Sequence, residues 1–371
     1  MKMDEGVRSR ARNNRRHTVK LEDLGWSDRW KSLFDTHQCC GWTPGRVVRV
    51  DRGAVAVECT RGPTTAAIAG SLDPQGEAGP PAVGDWVALD RAAETAVVRA
   101  ILPRTGALVR RRPGEADRVQ AVAANVGVVL VVESVERGPN PRRIERAAAL
   151  AFDGGATPIV VLTKIDLIDD PAAAIEKARE GAPFIDIVAL SSVSDVGVDE
   201  LRALLGPGST AVMLGPSGVG KSTLANRLLG ADRLAVSHVR AGDAKGRHTT
   251  SHRELVVLPS GGCLIDTPGV RELGLWLGAD AIDAAFPEIE ETSAGCRFRD
   301  CRHESEPGCA VLEEVVAGSI DPKRLASYHR LRREAEHLDL RLDASRRHEI
   351  RARDRSFGKM VKEVKRLKGT S

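Results

Sequence analysis

The chain has 371 residues, more than one core ordinarily uses, so two or three domains are expected. A hydrophobic share of 42% and a charged share of 29% describe a globular protein, and no apolar run approaches the roughly 20 residues that span a bilayer. The net charge of +4 is modest, and the basic, polar start from Met1 to Lys20 lacks the apolar stretch of a secretory signal, so a cytoplasmic protein without a membrane partner is expected.

In chain order, residues 1–43 read as a basic N-terminal arm. Lys2, Arg8, Arg10, Arg12, Arg15, Arg16 and Lys20 face only Asp4 and Glu5, and a short segment follows with Trp26 and Trp30. From Pro44 the pattern changes. Gly45–Asp51, Ala54–Glu58, Asp85–Leu89 and Thr95–Ile101 alternate apolar and polar residues between glycine and proline turns. Several short strands at this spacing predict a small β-barrel of the OB type over 44–112.

Next come runs that are apolar but for Asp186: Val126–Val132, Pro158–Leu162, Ile185–Leu190 and Ala211–Leu214, with helical stretches between them near 141–151, 172–179 and 198–205. Such runs indicate a parallel sheet covered on both faces, so 115–285 is a doubly wound α/β domain. Residues 286–371 carry a Cys/His cluster, charged helices from about Pro322 and a basic tail that begins near Arg346 and ends with Lys365, Arg366 and Lys368. Basic ends on a near-neutral body fit a polyanion, most often nucleic acid; a solvated helix face with a disordered arm is the alternative.

Gly215-Pro216-Ser217-Gly218-Val219-Gly220-Lys221-Ser222-Thr223 has the G-x-x-x-x-G-K-[ST] spacing between a strand and a helix. Glycines let backbone N–H groups close around phosphates at the positive end of the helix. Lys221 is expected to reach the β- and γ-phosphates and the Ser222 hydroxyl to bind Mg²⁺. This motif specifies a nucleoside triphosphate and no particular base.

Thr163-Lys164-Ile165-Asp166 ends a strand, where ligands sit in such sheets. A carboxylate at Asp166 can accept from N1–H and the 2-amino group of guanine, donors that adenine lacks. Ser191 and Ser192, ending the next strand, back the base, and Lys164 lies over its plane. Asp266-Thr267-Pro268-Gly269 ends another strand, with Asp266 holding Mg²⁺ through water and the Gly269 N–H meeting the γ-phosphate. Between these motifs lies Gly246–Ser251, where Thr249 or Thr250 completes the Mg²⁺ shell when GTP is bound. Val270 stands where many GTPases have a water-orienting glutamine, and His248 is the polar candidate for that role; a solvent-facing loop histidine is the alternative. Base recognition precedes the phosphate loop, so the order is circularly permuted, and the switch ending at Gly269 leads directly into the C-terminal domain.

Of seven cysteines, Cys59 and Cys263 lie in apolar surroundings and are expected in the core. Cys296-x4-Cys301-x-His303-x5-Cys309 offers three thiolates and one imidazole, the complement of one tetrahedral Zn²⁺ per chain. Four donors leave no open position, so the site is structural.

The order T-K-x-D, S-S, G-P-S-G-V-G-K-S-T, G-R-H-T-T, D-T-P-G-V and then C-x4-C-x-H-x5-C, behind a small β-barrel, resembles the RsgA family over about 44–335. These are bacterial circularly permuted GTPases that assist late maturation of the small ribosomal subunit. The resemblance implies an OB-fold barrel, GTP hydrolysis to GDP stimulated by the 30S subunit, and contacts with 16S rRNA near the decoding region. Thr163 stands where many members have asparagine. A monomer is expected. Two other readings stay open: an RNA-binding assembly factor that uses GTP only as a conformational ligand, and a P-loop kinase, against which Asp166 speaks.

Overall fold

The alternating runs after Pro44 become strands because every second side chain finds an apolar interior. The computed structural model describes residues 19–38, 40–70, 72, 79–112, 115–230, 253–266 and 279–336. In it, β1 (Thr43–Asp51), β2 (Ala54–Cys59), β3 (Thr64–Ile68), β4 (Trp86–Asp90) and β5 (Ala96–Ile101) pair in the order β1-β2-β3-β5-β4. Strand β4 then returns to β1, and the barrel closes. Only β3 and β5 run parallel. Val47, Val55, Val57, Val87, Leu89 and Val98 fill the interior.

From Val19 on, the segment before the barrel is folded. Its helix α1 (Asp28–Gln38) buries Trp30 and Phe34. Trp26 lies edge-on to Trp86 of β4 at 4.7 Å between ring centroids, and Trp30 lies 6.0 Å from the same ring. The expected arm thus covers one flank of the barrel through its aromatic residues. The basic residues from Lys2 to Arg16, and those from Arg346 onward, lie outside the described residues.

A hairpin, β6 (Ala107–Arg112) and β7 (Glu115–Ala124), leads into the α/β unit. There β8 (Val128–Ser134), α2 (Pro141–Asp153), β9 (Thr157–Thr163), α3 (Ala172–Arg179), β10 (Ile187–Ala189), α4 (Val198–Leu204), β11 (Thr210–Leu214) and α5 (Lys221–Leu229) alternate. Two more strands follow, β12 (Glu254–Val257) and β13 (Cys263–Asp266). Parallel pairing runs β10-β9-β8-β11-β13. Strand β11 is buried along its whole length, as the apolar run that follows Thr210 requires. Strand β12, antiparallel to β13, also meets β1 at Glu254 and Arg49, so one sheet continues from the α/β unit into the barrel.

After β13 come α6 (Ala279–Ala285), the last helix before residue 286, and then the C-terminal unit with α7 (Pro287–Ser293), α8 (Ala310–Ala317) and a helix over 322–336. Helix α6 packs against α2. No helix among the described residues is long and apolar enough to cross a membrane.

Candidate functional site

The phosphate-loop motif lies where β11 turns into α5. Gly215 crosses so close to β8 that a Cβ there would sit 2.2 Å from the Val132 carbonyl oxygen, and its φ is +149°. Only glycine fits that approach. Gly220, at φ +98°, turns the chain into the first turn of α5, which points its free N–H groups at the loop. Pro216, Ser217 and Gly218 form the rim, and Val219 anchors it, 2% exposed. Lys221 Nζ donates to the carbonyls of Gly215 and Pro216 at 2.7 and 2.8 Å, which folds its ammonium over the loop. Ser222 is exposed beside it and Thr223 half-buried.

The base motif follows β9, one strand beyond β8. Thr163 is 2% exposed, and its hydroxyl reaches the carbonyls of Val219 at 2.5 Å and Glu133 at 3.1 Å. The two sequence-distant motifs are therefore tied by one side chain. Lys164 takes the left-handed conformation, φ +64°, with its ammonium 2.6 Å from Glu136. Lys164 in turn lowers the pKa of the Glu136 carboxyl. Ile165 is half-buried, and Asp166 points to solvent. Ser191 is fully buried; its hydroxyl donates to Asp166 at 2.5 Å and accepts from the backbone N–H groups of Val193 and Ser194. A side chain that accepts two N–H bonds has one orientation, so it fixes the carboxylate it donates to. Ser192 sits half-buried alongside.

Asp266 closes β13, two strands from β8. Burial raises its pKa above the ordinary carboxylate value, Lys221 opposes that shift, and Glu254 adds to it. The Lys221 charge therefore acts on Asp266, as expected for residues sharing one phosphate site. His248, Thr249, Thr250 and Gly269 lie outside the described residues.

The Cys/His cluster forms a knuckle ahead of α8. The donor atoms of Cys296, Cys301, His303 and Cys309 all lie within 4.8 Å of one another. His303 Nδ1 is 3.4 Å from Cys309 Sγ and 3.6 Å from Cys296 Sγ. Cys309 also caps α8, its sulfur accepting from Leu312 N–H. Burial, with Cys309 and Cys296 adding to it, pushes the Cys301 thiol up to about 12. Three thiols this close ionise together only around a cation, so the donor set fits zinc.

Two partners escaped the sequence reading. Glu133, near the end of β8, binds Arg143 through paired contacts at 2.5 and 2.9 Å, and Glu136, just after it, holds Lys164; neither has any motif spacing. Their only signal was their place at the carboxyl end of a buried strand.

A family model described as RsgA GTPase matches residues 101–276, and one described as 50S ribosome-binding GTPase matches 210–344. A relative from Streptomyces coelicolor, described as small ribosomal subunit biogenesis GTPase RsgA, is 43% identical over 352 residues, covering 93% of this chain and 96% of the relative. Its counterpart from Opitutus terrae is 41% identical, with 88% and 92% covered. Among solved structures, YjeQ from Thermotoga maritima superposes with a TM-score of 0.62 at 26% identity over 79% of this chain and 98% of that one. YloQ, titled a circularly permuted GTPase, superposes at 0.58 and 24% identity over 80% and 96%, which speaks for the fold alone.

Proposed function

Because the chain belongs to the RsgA GTPase family, we propose that it binds and hydrolyses GTP while assisting late maturation of the small ribosomal subunit in the cytoplasm. The observation that carries this reading is the Thr163 hydroxyl on the Val219 carbonyl, which fixes the spacing between a base reader and a phosphate loop. The proposed working units are the barrel over 44–112, the GTPase domain over 115–285 and the zinc-binding helical unit from 286 on.

In this reading Asp166, oriented by Ser191, accepts from guanine, and Lys164 covers the base. Lys221 exchanges its two loop carbonyls for phosphate oxygens, and the α5 N–H groups take the rest of the charge. Ser222, Asp266 and Thr249 or Thr250 would hold Mg²⁺, which neutralises phosphate charge when bound. His248 orients the attacking water, and the Gly269 N–H meets the γ-phosphate. Zinc on Cys296, Cys301, His303 and Cys309 serves only the fold. The partner is the 30S subunit, contacted through 16S rRNA by a monomer, which stimulates hydrolysis; hydrolysis then times release.

The test is turnover of GTP and ATP with and without purified small subunits. Stimulated GTP turnover that Lys221→Ala abolishes is expected, with Asp166→Asn weakening GTP binding. GTP bound but never turned over, even with subunits, would instead favour GTP as a conformational ligand. Equal use of ATP would overturn the base assignment.

A further inference from the structure

Arg46 is a charged side chain buried to 2% exposure at the seam between the barrel and the GTPase sheet. It lies on β1 next to Val47, and because strand side chains alternate, Val47 fills the barrel while Arg46 faces out. That outward face is covered. The guanidinium donates to the Gly84 carbonyl at 3.2 Å, to the Leu24 carbonyl of the N-terminal segment, and to the Thr210 hydroxyl at 2.9 Å. It also stands 5.3 Å from the Trp86 ring centroid and 4.0 Å from Cys263 Sγ.

No acid among the described residues pairs with it. Asp85, whose charge is felt at Arg46, is bound by Arg104 through contacts of 2.7 Å to each oxygen. A buried cation held by carbonyls and a hydroxyl gives little stability and strict geometry, because each donor needs its acceptor in place. What it orders is specific. Thr210 opens β11, which ends at the phosphate loop; Cys263 opens β13, which ends at Asp266. Three residues along β1, Arg49 pairs with Glu254, and β12 pairs Glu254 with Asp266. One barrel strand thus touches the roots of both nucleotide strands and the strand beside Asp266.

We propose that Arg46 is a positioning residue that keys the barrel to β11 and β13, so that β1 carries the nucleotide state of the GTPase site to the barrel. A change at Asp266 or β12 moves the far half of β1, while Arg46 holds the near half to the phosphate-loop strand. The barrel and its tryptophans then report whether the γ-phosphate is present.

This rests on the GTP-binding reading, and one titration tells the two failures apart. The chain has five tryptophans, and Trp276→Phe leaves Trp26, Trp30, Trp42 and Trp86, all in the barrel or the segment before it. In that background, emission is followed while GDP is replaced by a non-hydrolysable GTP analogue, with nucleotide affinity read from a labelled analogue. Expected is an emission change that Arg46→Met abolishes at unchanged nucleotide affinity. Thr210→Val, which removes only the β11 acceptor, diminishes the change, and Thr210→Ser restores it. A merely structural side chain would not distinguish valine from serine through a nucleotide-dependent signal. A change that persists in both Arg46→Met and Thr210→Val, or none in the parent despite tight nucleotide binding, overturns the proposal. Absence of nucleotide binding in the parent overturns the GTP reading instead.

Discussion

The GTPase core meets its neighbours along two seams of opposite chemistry. Toward the barrel, Arg46 is held by two carbonyls, a hydroxyl and an indole face, with no acid in contact among the described residues. Toward the C-terminal unit, Glu145 of α2, 4% exposed, receives Arg324 at 3.6 Å and Arg330 at 3.1 Å. Arg324 continues to Glu288 of α7 at 2.7 Å and lies over the Phe286 ring at 4.1 Å. A lone cation among fixed dipoles specifies a position. A chain of alternating charges supplies adhesion, and loses it when one member is removed, since the others stay buried and unpaired. Fixing a register and holding a domain on are thus assigned to different seams.

The largest test of that division acts through zinc. His303 lies 6.2 Å from the Tyr328 ring, and the Tyr328 hydroxyl donates to Asp283 of α6 at 3.1 Å, so the knuckle supports the C-terminal seam. Structural zinc contributes on the order of 10 kcal/mol to such small units. Cys301→Ser, or a chelator, is expected to strip hydrogen-exchange protection from α8 and the helix over 322–336 while nucleotide affinity stays unchanged. Protection that survives metal removal would remove zinc from the seam.

Next in size is Glu145→Ala. It leaves Arg324 with Glu288 alone, and breaking a buried pair from one side costs about 3 kcal/mol or more. Arg46→Met, by contrast, strands no buried acid and only takes a donor from the Leu24 and Gly84 carbonyls and the Thr210 hydroxyl, so a smaller loss of about 1 kcal/mol is expected. Chemical denaturation of the two variants checks the contrast. Equal losses would mean that the seams do not differ in kind.

Sequence pattern made most of this architecture legible, and what it missed has physical reasons. Helix α3 and strands β1, β2, β4 and β5 announced themselves by period and turn residues, and the phosphate loop by spacing. Strand β3, Thr64–Ile68, is mostly half-exposed with little apolar contrast, and β12 is four residues long, so neither produced a period to detect. Arg46 carried no signal beyond its place in the alternating stretch Gly45–Asp51. Alternation gives the face but not what covers it, and here the GTPase sheet does. Similarly, Lys164 was legible while its partner Glu136 was not, because a partner 28 residues away obeys no local spacing.

A pH series sharpens the comparison at a smaller scale. Burial holds the Glu145 carboxyl above its usual range, although Ser327, Arg324 and Arg330 favour the ionised form. Between the usual value, about 4.3, and the raised one, the folded protein binds this proton more readily than the unfolded chain. The contribution is therefore fully present below the usual value and declines as pH rises through the raised one. Its slope is at most about 1.4 kcal/mol per pH unit. Glu145→Gln is expected to flatten the profile of the C-terminal seam, measured by exchange in the helix over 322–336, and to leave β1 unaffected. An unchanged profile would assign the slope to another group.

The smallest effect is that of salt, and it separates the seams by exposure rather than charge. At the rim of the C-terminal seam, Arg332 faces Asp283 at 3.7 Å with side chains 38% and 23% exposed. Arg146 pairs there with Glu334, whose side chain is 41% exposed. Pairs open to solvent contribute at most about 1 kcal/mol. Raising NaCl to about 1 M shortens the screening length to about 3 Å and removes much of that contribution. Exchange in the helix over 322–336 is therefore expected to quicken about twofold, the equivalent of a few tenths of a kcal/mol. Arg46 is shut away from ions and contacts no acid among the described residues, so the amides of Arg46 and Val47 are expected to exchange at the same rate in low and high salt. The two regions serve as each other's control, since a general salt effect on the fold would move both. Parallel acceleration at Arg46 and Val47 would mean that salt acts on the fold at large and not on the rim pairs.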